Sequence, residues 1–546
     1  MYRRKGLGAN NTYAPKHREP ILFFTLTDNL FACSIVLRIH NEYYNMKRIS
    51  TLSFILLSIP VFGQNVNLDS NFGNGGIVIT PNTTEINSIA VDPDGNIFSA
   101  GYSIESGGSG IYRLTITKHT NTGAIAANFG TNGIVSTPID YSEFPLDIKL
   151  QADGKILVSG SVYLGPSQSG PGDYNSFVAR FNTNGDLDSS FAINGVFRLP
   201  HSDSHIVSMI ILGDGSVLLA GNSYGTGTIS RIDPNGVLDS SFGTNGSVFL
   251  SDASYTMILW EAILLSDQLV ICVGYDGNDF NNSKLTYCKI DLNGDFVPGF
   301  GQNGKVIMDL HNTFPSVTEF LSGAKETDNG KIILSGYSAT SLIIKINPDG
   351  SLDNSFGTNG ILNHSYPFAD LELQADGKFL IGGSQEISEY NYGFSITRLN
   401  ADGSLDNSFN GTGTFTTDIS TGNDYLQTMK LSGTGQILVA GSSRLLSADA
   451  DFMLVNLDIS QSLSVETANL KGISIYPNPF SDELTISSED ESITEIQLRD
   501  ASGRLIESYP ASETTSLSLG HLASGVYQLI FLGNQRENTC RRLIKH

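Results

Sequence analysis

A nine-residue phrase recurs seven times along the chain and constrains the fold more than any other feature. Its clearest copies read LDSSFGTNG (238–246) and LDNSFGTNG (352–360). Every copy carries a phenylalanine, and successive phenylalanines stand 51 to 62 residues apart, at Phe72, Phe129, Phe191, Phe242, Phe300, Phe356 and Phe409. A period of this length is typical of the blades of a β-propeller and exceeds that of most helical repeats.

Two further phrases occur in each unit and supply its turns. One is a DG turn between two apolar runs, as in QADGKILVSG (151–160), and the other ends in a turn, as in LIIKINPDG (342–350). Glycine at the end of such turns provides the positive φ that a tight hairpin requires. Each unit is therefore interpreted as four short strands, and seven units predict an all-β, seven-bladed propeller. An open β-solenoid, with shorter and more uniform rungs, is the alternative.

The position of the FG phrase leads to a more specific hypothesis. If the strand after the phrase is the first of each blade, the phrase joins the outer strand of one blade to the inner strand of the next. Its phenylalanine would then be a core anchor between blades. In six units an arginine or lysine stands five residues before the final glycine of the phrase typified by LIIKINPDG. In four of these units an aspartate stands eight residues after that base. We interpret these as structural ion pairs between Lys118, Arg180, Arg231, Lys289, Lys345 or Arg398 and, where present, Asp188, Asp239, Asp353 or Asp406.

Charge and the N-terminal region indicate a secreted protein. The chain has 32 basic and 55 acidic residues, a formal charge of −23 that disfavours nucleic acid as a partner. From Met46 the chain reads MKRISTLSFILLSIPVFGQN, which has the basic start and short apolar run of a signal peptide over residues 46–63. Residues 1–45 are interpreted as an unstructured upstream start-site extension. A cytoplasmic tail before a signal anchor is the alternative, although the apolar run is short for a membrane span.

Catalytic and metal-binding motifs are scarce. The chain has no HExxH, no GxSxG at a strand-to-helix turn, no P-loop and no zinc-finger spacing, so we expect no cofactor and no bound metal. His201, Asp203 and His205 would share one face of a strand, but a solvated loop is favoured over a metal site because further ligands are lacking. Cys272 and Cys288 fall on consecutive strands and could be buried thiols or a disulfide.

One face of the propeller is predicted to carry variable loops, because the repeated turns all emerge on the other face. Tyrosines cluster in the segments that reach the variable face, at Tyr102, Tyr163, Tyr224, Tyr275 and Tyr337 after the third strand, and at Tyr141, Tyr255, Tyr366 and Tyr425 in the preceding connection. Tyrosine offers a flat apolar surface with a hydrogen-bonding tip, which suits glycan or protein binding. These residues could instead cap the ends of the blades.

Three functions remain open from the sequence. The leading hypothesis is a monomeric, non-enzymatic binding protein that presents the tyrosine-rich face to a glycan or protein. The second is a polysaccharide hydrolase or lyase with carboxylates near the central channel as acid and base. The third is a structural component of the cell surface.

The C-terminal region departs from the repeat and resembles a known export module. The propeller is expected over residues 64–460, followed by a linker (461–472) and a small Ig-like β-sandwich (473–546). This last segment resembles the type A C-terminal sorting domain of the Bacteroidetes type IX secretion system. The resemblance rests on Tyr476, Pro477, Asn478 and Pro479, on Asp500, Gly503 and Arg504, and on Gly525, Val526 and Tyr527.

The resemblances imply how the protein is exported. They predict passage through the periplasm to the outside of the cell, removal of the tail by a sortase-like peptidase, and a product that is released or held at the outer-membrane surface. The type IX machinery and that peptidase would be its partners. The repeats at 68–458 are also similar to the delta-60 repeat family, which carries no established chemistry.

Overall fold

The computed structural model describes residues 66–459 and 473–545. Within these ranges the description omits 82, 106–109, 166–173, 202, 252–255, 278–282, 311–318, 339, 365–367, 389–390, 421, 433–434, 445–449, 478–479, 489–492, 501–504, 512–513 and 534–538. The predicted extension, signal peptide and linker lie outside the described residues. The described residues form strands and turns and contain no α-helix. None of their segments is a helix long and apolar enough to span a membrane.

Six four-stranded antiparallel sheets and one five-stranded sheet form the seven blades of the propeller. The first two strands, β1 (Asn67–Leu68) and β2 (Ile77–Thr80), belong to the last blade. Blade 1 comprises β3 (Glu85–Val91), β4 (Ile97–Ile104), β5 (Tyr112–His119) and β6 (Ile134–Thr137), and blade 2 comprises β7 (Ser142–Leu150), β8 (Ile156–Tyr163), β9 (Tyr174–Phe181) and β10 (Val196–Phe197). Blade 3 comprises β11 (Ser204–Ile211), β12 (Val217–Ser223), β13 (Thr226–Ile232) and β14 (Ser247–Phe249).

The remaining blades follow the same order. Blade 4 comprises β15 (Met257–Leu264), β16 (Val270–Asp276), β17 (Leu285–Ile290) and β18 (Lys305–Met308), and blade 5 comprises β19 (Glu319–Glu326), β20 (Ile332–Ser338), β21 (Thr340–Ile346) and β22 (Ile361–His364). Blade 6 comprises β23 (Asp370–Leu373), β24 (Phe379–Ser388), β25 (Asn391–Leu399) and β26 (Thr414–Thr417), and blade 7 comprises β27 (Asn423–Ser432), β28 (Gln436–Arg444) and β29 (Asp451–Asp458) with β1 and β2. The prediction of a seven-bladed propeller is confirmed.

The strand order within a blade differs from the prediction. The strand before the DG turn comes first, at the inside, and the strand after the FG phrase comes last, at the outer edge. The phrase therefore joins the third and fourth strands of one blade, as between β5 and β6, and the proposed hand-over between blades was wrong. The turn residues locate the strands along the chain, but a repeating pattern carries no mark of which strand is innermost.

The ring is closed by the N-terminal strands. β2 pairs with β29, with Ile77 opposite Val455, and β1 extends the same sheet, with Asn67 opposite Asp458. Val66 is 5% exposed and packs in the core of blade 7. The strand that follows the first FG phrase thus completes the last blade. A sequence repeat that starts at the FG phrase therefore begins one strand before the blade begins.

The FG phrase nevertheless anchors adjacent blades, as predicted. Its seven phenylalanines are each at most 1% exposed. Phe191 of blade 2 packs against Gly236 of blade 3, where a Cβ would lie 2.7 Å from the ring. The next residue, Ala192, donates its backbone N–H to the Asn235 carbonyl at 2.7 Å. Because Gly236 has a φ of +81° and no room for a side chain, this turn requires glycine.

The arginine pairs are confirmed, and two of the arginines, Arg180 and Arg231, also donate to the next blade. The Arg180 guanidinium donates to Asp188 at 2.8 Å, lies over the Phe191 ring at 4.5 Å and donates to the Pro234 carbonyl of blade 3 at 2.6 Å. Equivalent pairs join Arg231 to Asp239 and Arg398 to Asp406, each at 2.7 Å.

Lys345, the lysine among the four predicted pairs, behaves differently. The ion-pair partner of Asp353 is Lys331, at 2.8 Å, whereas Lys345 donates to the Ala401 carbonyl at 2.9 Å. The predicted Lys345–Asp353 pair was therefore wrong. A single ammonium at the end of a flexible stem cannot form the forked contacts by which an arginine reaches the aspartate and the next blade together.

The C-terminal region is a β-sandwich, also as predicted. One sheet contains β30 (Ile473–Tyr476), β31 (Glu483–Ser488) and β34 (Thr514–Ser518), and the other contains β32 (Ile493–Asp500), β33 (Leu505–Pro510), β35 (Gly525–Gly533) and β36 (Thr539–Lys545). Leu484 and Leu517 of the first sheet pack with Leu498 and Leu529 of the second in one buried core.

Candidate binding face and channel

The first strands of the seven blades surround a central channel of about 220 Å³. A β-bulge interrupts the pairing of most of these strands, as between Leu259 and Glu261. In six blades the bulge turns one residue into the channel, at Asn87, Leu146, Val207, Trp260, Ser322 and Gln427, and in blade 6 Ala369, just before β23, lines the channel at the equivalent place. Trp260, the only tryptophan of the chain, is therefore part of the channel wall, and 46% of it is exposed.

The residue after the bulge connects neighbouring blades. Three of these residues are carboxylates, and they fall in alternate blades: Asp147, Glu261 and Asp370. Each accepts a backbone N–H from the following blade, at 2.9 Å from Met209, 2.8 Å from Ala324 and 2.8 Å from Met429, respectively. Ser208 has the same role, since its hydroxyl accepts the Ala262 N–H at 3.2 Å. These carboxylates thus occupy a repeated structural position.

A second level of charged residues lies farther along the first strands. Lys149 pairs with Asp147 at 2.8 Å, and Lys325 and Lys430 each approach Glu372 at 3.2 Å. The ammonium groups are the more exposed partners, since the side chains of Lys149 and Lys430 are each 42% exposed and that of Glu372 is 14% exposed.

Burial and the charge pairs shift two pKa values at the channel. Burial raises the pKa of the Glu261 carboxyl, with Lys325 acting in the opposite direction. Burial disfavours the charged form of Lys325, but the Glu372, Asp370 and Glu261 carboxylates outweigh it and raise the pKa of that ammonium. The lysine therefore stays protonated.

Tyr102 and Tyr163, near the ends of the second strands of blades 1 and 2, belong to one aromatic cluster. Tyr102 contacts Tyr112 with ring centroids 4.9 Å apart, and Tyr112 contacts Phe144 of blade 2 at 5.3 Å. Tyr163 contacts Tyr174 at 5.3 Å, and the cluster also includes Tyr141, which is 43% exposed. The Tyr102 hydroxyl donates to the Glu85 carboxylate. We call these six residues the blade 1–2 cluster.

A second set of aromatic rings leads from the variable face into the channel. Trp260 of blade 4 stacks on Phe320 of blade 5, with centroids 5.7 Å apart and an interplanar angle of 27°. Phe320 stacks on Tyr337 at 5.8 Å and the same angle. Tyr337 is 41% exposed. We call these three residues the Trp260 row.

The other predicted tyrosines lie apart from these groups. Tyr224 is 60% exposed and contacts only His201 among the described rings, at 5.7 Å, whereas Tyr425 stacks on Tyr392 of blade 6 at 6.1 Å. Tyr275 is half-buried, and burial raises its pKa. Tyr255 and Tyr366 lie outside the described residues. Sequence reasoning missed Trp260, Phe144 and Phe320, since it considered only loop tyrosines and these residues lie within the first strands.

The histidines and cysteines that the sequence offered for metal binding or a disulfide are packed against other side chains. In the described part of the chain, no three or more His, Cys, Asp or Glu side chains come together as a metal site. His201 lies against Tyr224 and Phe249, and burial lowers its pKa. Cys272 and Cys288 face each other across β16 and β17 as free, fully buried thiols.

The sorting-motif residues are distributed over the sandwich. Tyr476, 54% exposed, ends β30 and precedes Pro477. Gly525 begins β35, and Tyr527 is buried with its hydroxyl donating to the Ala523 carbonyl at 2.7 Å. Asn478, Pro479, Gly503 and Arg504 lie outside the described residues.

Comparison with protein families agrees with both parts of the fold. A model of the secretion system C-terminal sorting domain matches residues 474–546. A β-propeller domain of unknown function matches residues 151–191, 212–242, 327–356 and 374–409, and a β-propeller repeat matches residues 73–108. The chain is a β-propeller repeat protein with a type IX C-terminal sorting domain. The sorting domain indicates export by type IX secretion to the cell surface or extracellular space.

Solved structures resemble this propeller protein only distantly. PorZ of Porphyromonas gingivalis, a surface component of the type IX secretion system, is 11% identical, with a TM-score of 0.30 over 87% of this chain and 76% of its own. YCF48 from Cyanidioschyzon merolae is 12% identical (TM-score 0.39; 69% and 98% covered), and polysaccharide lyase Uly1 is 10% identical (0.44; 72% and 92%). Likeness at this level carries no argument about function. No curated protein sequence matches the chain.

Proposed function

We propose that the exported propeller is a non-enzymatic binding protein whose variable face takes a glycan. The observation that carries this proposal is the pair of aromatic groups on that face, the blade 1–2 cluster and the Trp260 row. Both are built across a boundary between blades, and both keep rings exposed. Trp260, Tyr337 and Tyr141 are each more than 40% exposed.

The chemistry of these side chains suits sugars. An aromatic ring offers a flat apolar face to the C–H groups of a pyranose, while a tyrosine hydroxyl can bond its hydroxyls. Aromatic side chains also lose little conformational entropy on binding, because they have only two side-chain torsions. A rigid scaffold that presents variable loops is a common arrangement for binding sites.

A polysaccharide hydrolase or lyase is the second candidate, and one observation favours it. Glu261 has a raised pKa and lies at the channel, as a general acid would. However, one of its oxygens accepts the Ala324 N–H, and carboxylates at the equivalent position of blades 2 and 6 are bonded in the same way. A residue repeated for blade contacts is a weaker candidate for a single reaction, so binding is favoured.

The test is a glycan array probed with the full secreted protein and two variants. In the first, Tyr141, Tyr163, Tyr224 and Tyr337 are changed to alanine. The second, Val237→Ala, is a control, because Val237 is 59% exposed on a repeated turn of the opposite face. We expect the wild type and the control to bind the same glycans, and the tyrosine variant to lose at least tenfold in affinity at an unchanged melting temperature.

Three results would contradict the proposal. Absence of any bound glycan would favour a protein partner or a structural role. Equal binding by the tyrosine variant would place the glycan elsewhere. Release of shortened products from a bound polysaccharide, lost in a Glu261→Gln variant, would establish the enzyme.

A further inference from the structure

We infer that the channel holds the terminal ring of an uncharged glycan, stacked on Trp260. This inference rests on the proposed function and specifies its ligand. It would make the protein a reader of chain ends, whereas glycans lying across the tyrosines alone could be bound anywhere along their length.

The position of Trp260 is not explained by the fold. The residues at the equivalent place in the other blades are Asn87, Leu146, Val207, Ser322, Ala369 and Gln427, all smaller. The blades therefore close without an indole at this point, and 46% of Trp260 remains exposed. A large, exposed aromatic side chain on the wall of a cavity is a feature of ligand sites.

The Trp260 row gives the ligand a path to this position. β19 runs from the variable face inward, so Phe320 lies nearer that face than the channel residues Ser322 and Gly323. Tyr337 lies near the end of β20 that reaches the same face. Phe320 stacks on Trp260 and on Tyr337, each at 27°, so the three rings connect the variable face with the channel.

The size of the channel limits what can enter. Its volume of about 220 Å³ is below the roughly 300–1,000 Å³ of pockets that enclose drug-sized ligands. A single sugar ring is therefore the largest unit that we expect it to enclose, and the rest of the glycan would extend along the row.

The opposite wall supplies polar groups. In a ring of seven blades, blade 4 faces the boundary between blades 7 and 1, which places Gln427 and Asn87 across the channel from Trp260. The Asn87 amide is held by a hydrogen bond to the Pro145 carbonyl at 2.7 Å, and the Gln427 amide by one to Glu85 at 3.3 Å. An aromatic ring on one side and fixed amides on the other match the apolar faces and hydroxyl edge of a pyranose.

The charges of the channel favour an uncharged sugar. Three lysines, Lys149, Lys325 and Lys430, lie among four carboxylates, those of Asp147, Asp370, Glu372 and Glu261, so the formal sum is only −1. Burial disfavours the charge of Glu261, which brings the sum still closer to zero. Neither a uronate nor an amino sugar would find a net opposite charge.

The single tryptophan permits a site-specific test in the full-length protein. Linear neutral oligosaccharides of glucose, galactose, mannose and xylose are titrated while Trp260 emission and its quenching by acrylamide are recorded. We expect a saturable change in emission and reduced quenching with at least one of them. Calorimetry should then show at least tenfold weaker binding by Trp260→Ala and nearly unchanged binding by Trp260→Phe.

The outcomes separate this inference from the proposed function. Glycans that bind on the array, lose binding in the tyrosine variant, and yet leave Trp260 emission and Trp260→Ala affinity unchanged would overturn the channel inference alone. Tighter binding of uronate-ended than of neutral oligosaccharides by tenfold or more would refute the charge argument. Failure of every glycan on the array would refute the proposed function itself.

Discussion

Acidification should loosen the seam at which the propeller ring closes. His119, at the end of β5 in blade 1, is 1% exposed, and its Nε2 lies 3.2 Å from the Thr80 hydroxyl. Thr80 belongs to β2, the strand that completes blade 7. Burial lowers the pKa of His119 from 6.5 to about 4, because the charged imidazolium would lose its hydration in the core.

The sign and magnitude follow from proton binding. Below pH 6.5 the unfolded chain binds a proton at His119, while the folded protein does not until about pH 4. The stability due to the neutral imidazole is therefore fully present above pH 6.5 and is lost as the pH falls to about 4. At 1.36 kcal/mol per pH unit the complete loss is about 3 kcal/mol, of which about 2.5 kcal/mol has occurred by pH 4.5.

The assay is urea unfolding at pH 7.5 and pH 4.5, followed by Trp260 fluorescence, for the wild type and His119→Gln. Glutamine can still bond Thr80 but does not titrate, so the variant should lose about 2.5 kcal/mol less than the wild type over this interval. His521→Gln is the matched control, because His521 is 54% exposed in the sandwich, and it should behave as the wild type. An equal loss in the wild type and His119→Gln would refute the reasoning.

Two further predictions concern the repeat contacts and export. Arg180→Ala should destabilise the propeller by about 2–3 kcal/mol, since it removes buried, charge-assisted hydrogen bonds to Asp188 and to the next blade while Lys155, 3.0 Å from Asp188, keeps that carboxylate paired. The equivalent Arg231→Ala, whose pair is 20% and 29% exposed, should cost about 1 kcal/mol. Denaturant melts of the two variants compare them directly, and equal costs would contradict the burial argument. Deletion of residues 473–546 should leave the protein in the periplasm, as measured by cell fractionation, and normal surface delivery of the truncated chain would contradict the role of the sorting domain.

The fold was largely predictable, because repetition itself carried the information. Seven phenylalanines at a regular spacing predicted seven blades. An aspartate eight residues after an arginine in several units, as with Arg180 and Asp188, predicted an ion pair that the structure contains. The order of strands within a blade was not predictable, because a periodic pattern can be divided into units at any of its four strands. The strand pairings decide where a blade begins, as in the pairing of β6 with β5 and of β2 with β29.

The candidate site was less accessible to sequence reasoning. Tyr102 and Tyr163 were located because they lie near the ends of recognisable strands, and they do share one aromatic cluster. Trp260 was missed because a β-bulge breaks the alternation of inward and outward residues, so that a residue expected within a sheet faces the channel. The pairing of Lys345 failed for a different reason, since which ammonium reaches Asp353 depends on the position of Lys331 in the turn before β20.

The closure of the ring by β1 and β2 also imposes an order on biogenesis. The Asn456 amide donates to Asp69 at 3.0 Å, although the two residues are 387 positions apart in the chain. During synthesis and translocation, residues 66–80 emerge first but can find their partner only after the last blade has emerged. Contacts this distant in sequence form slowly, because the loop must close before they stabilise anything. The sorting domain begins at residue 473, after that last blade in the chain, so the signal for outward transport emerges only after every strand of the ring has emerged.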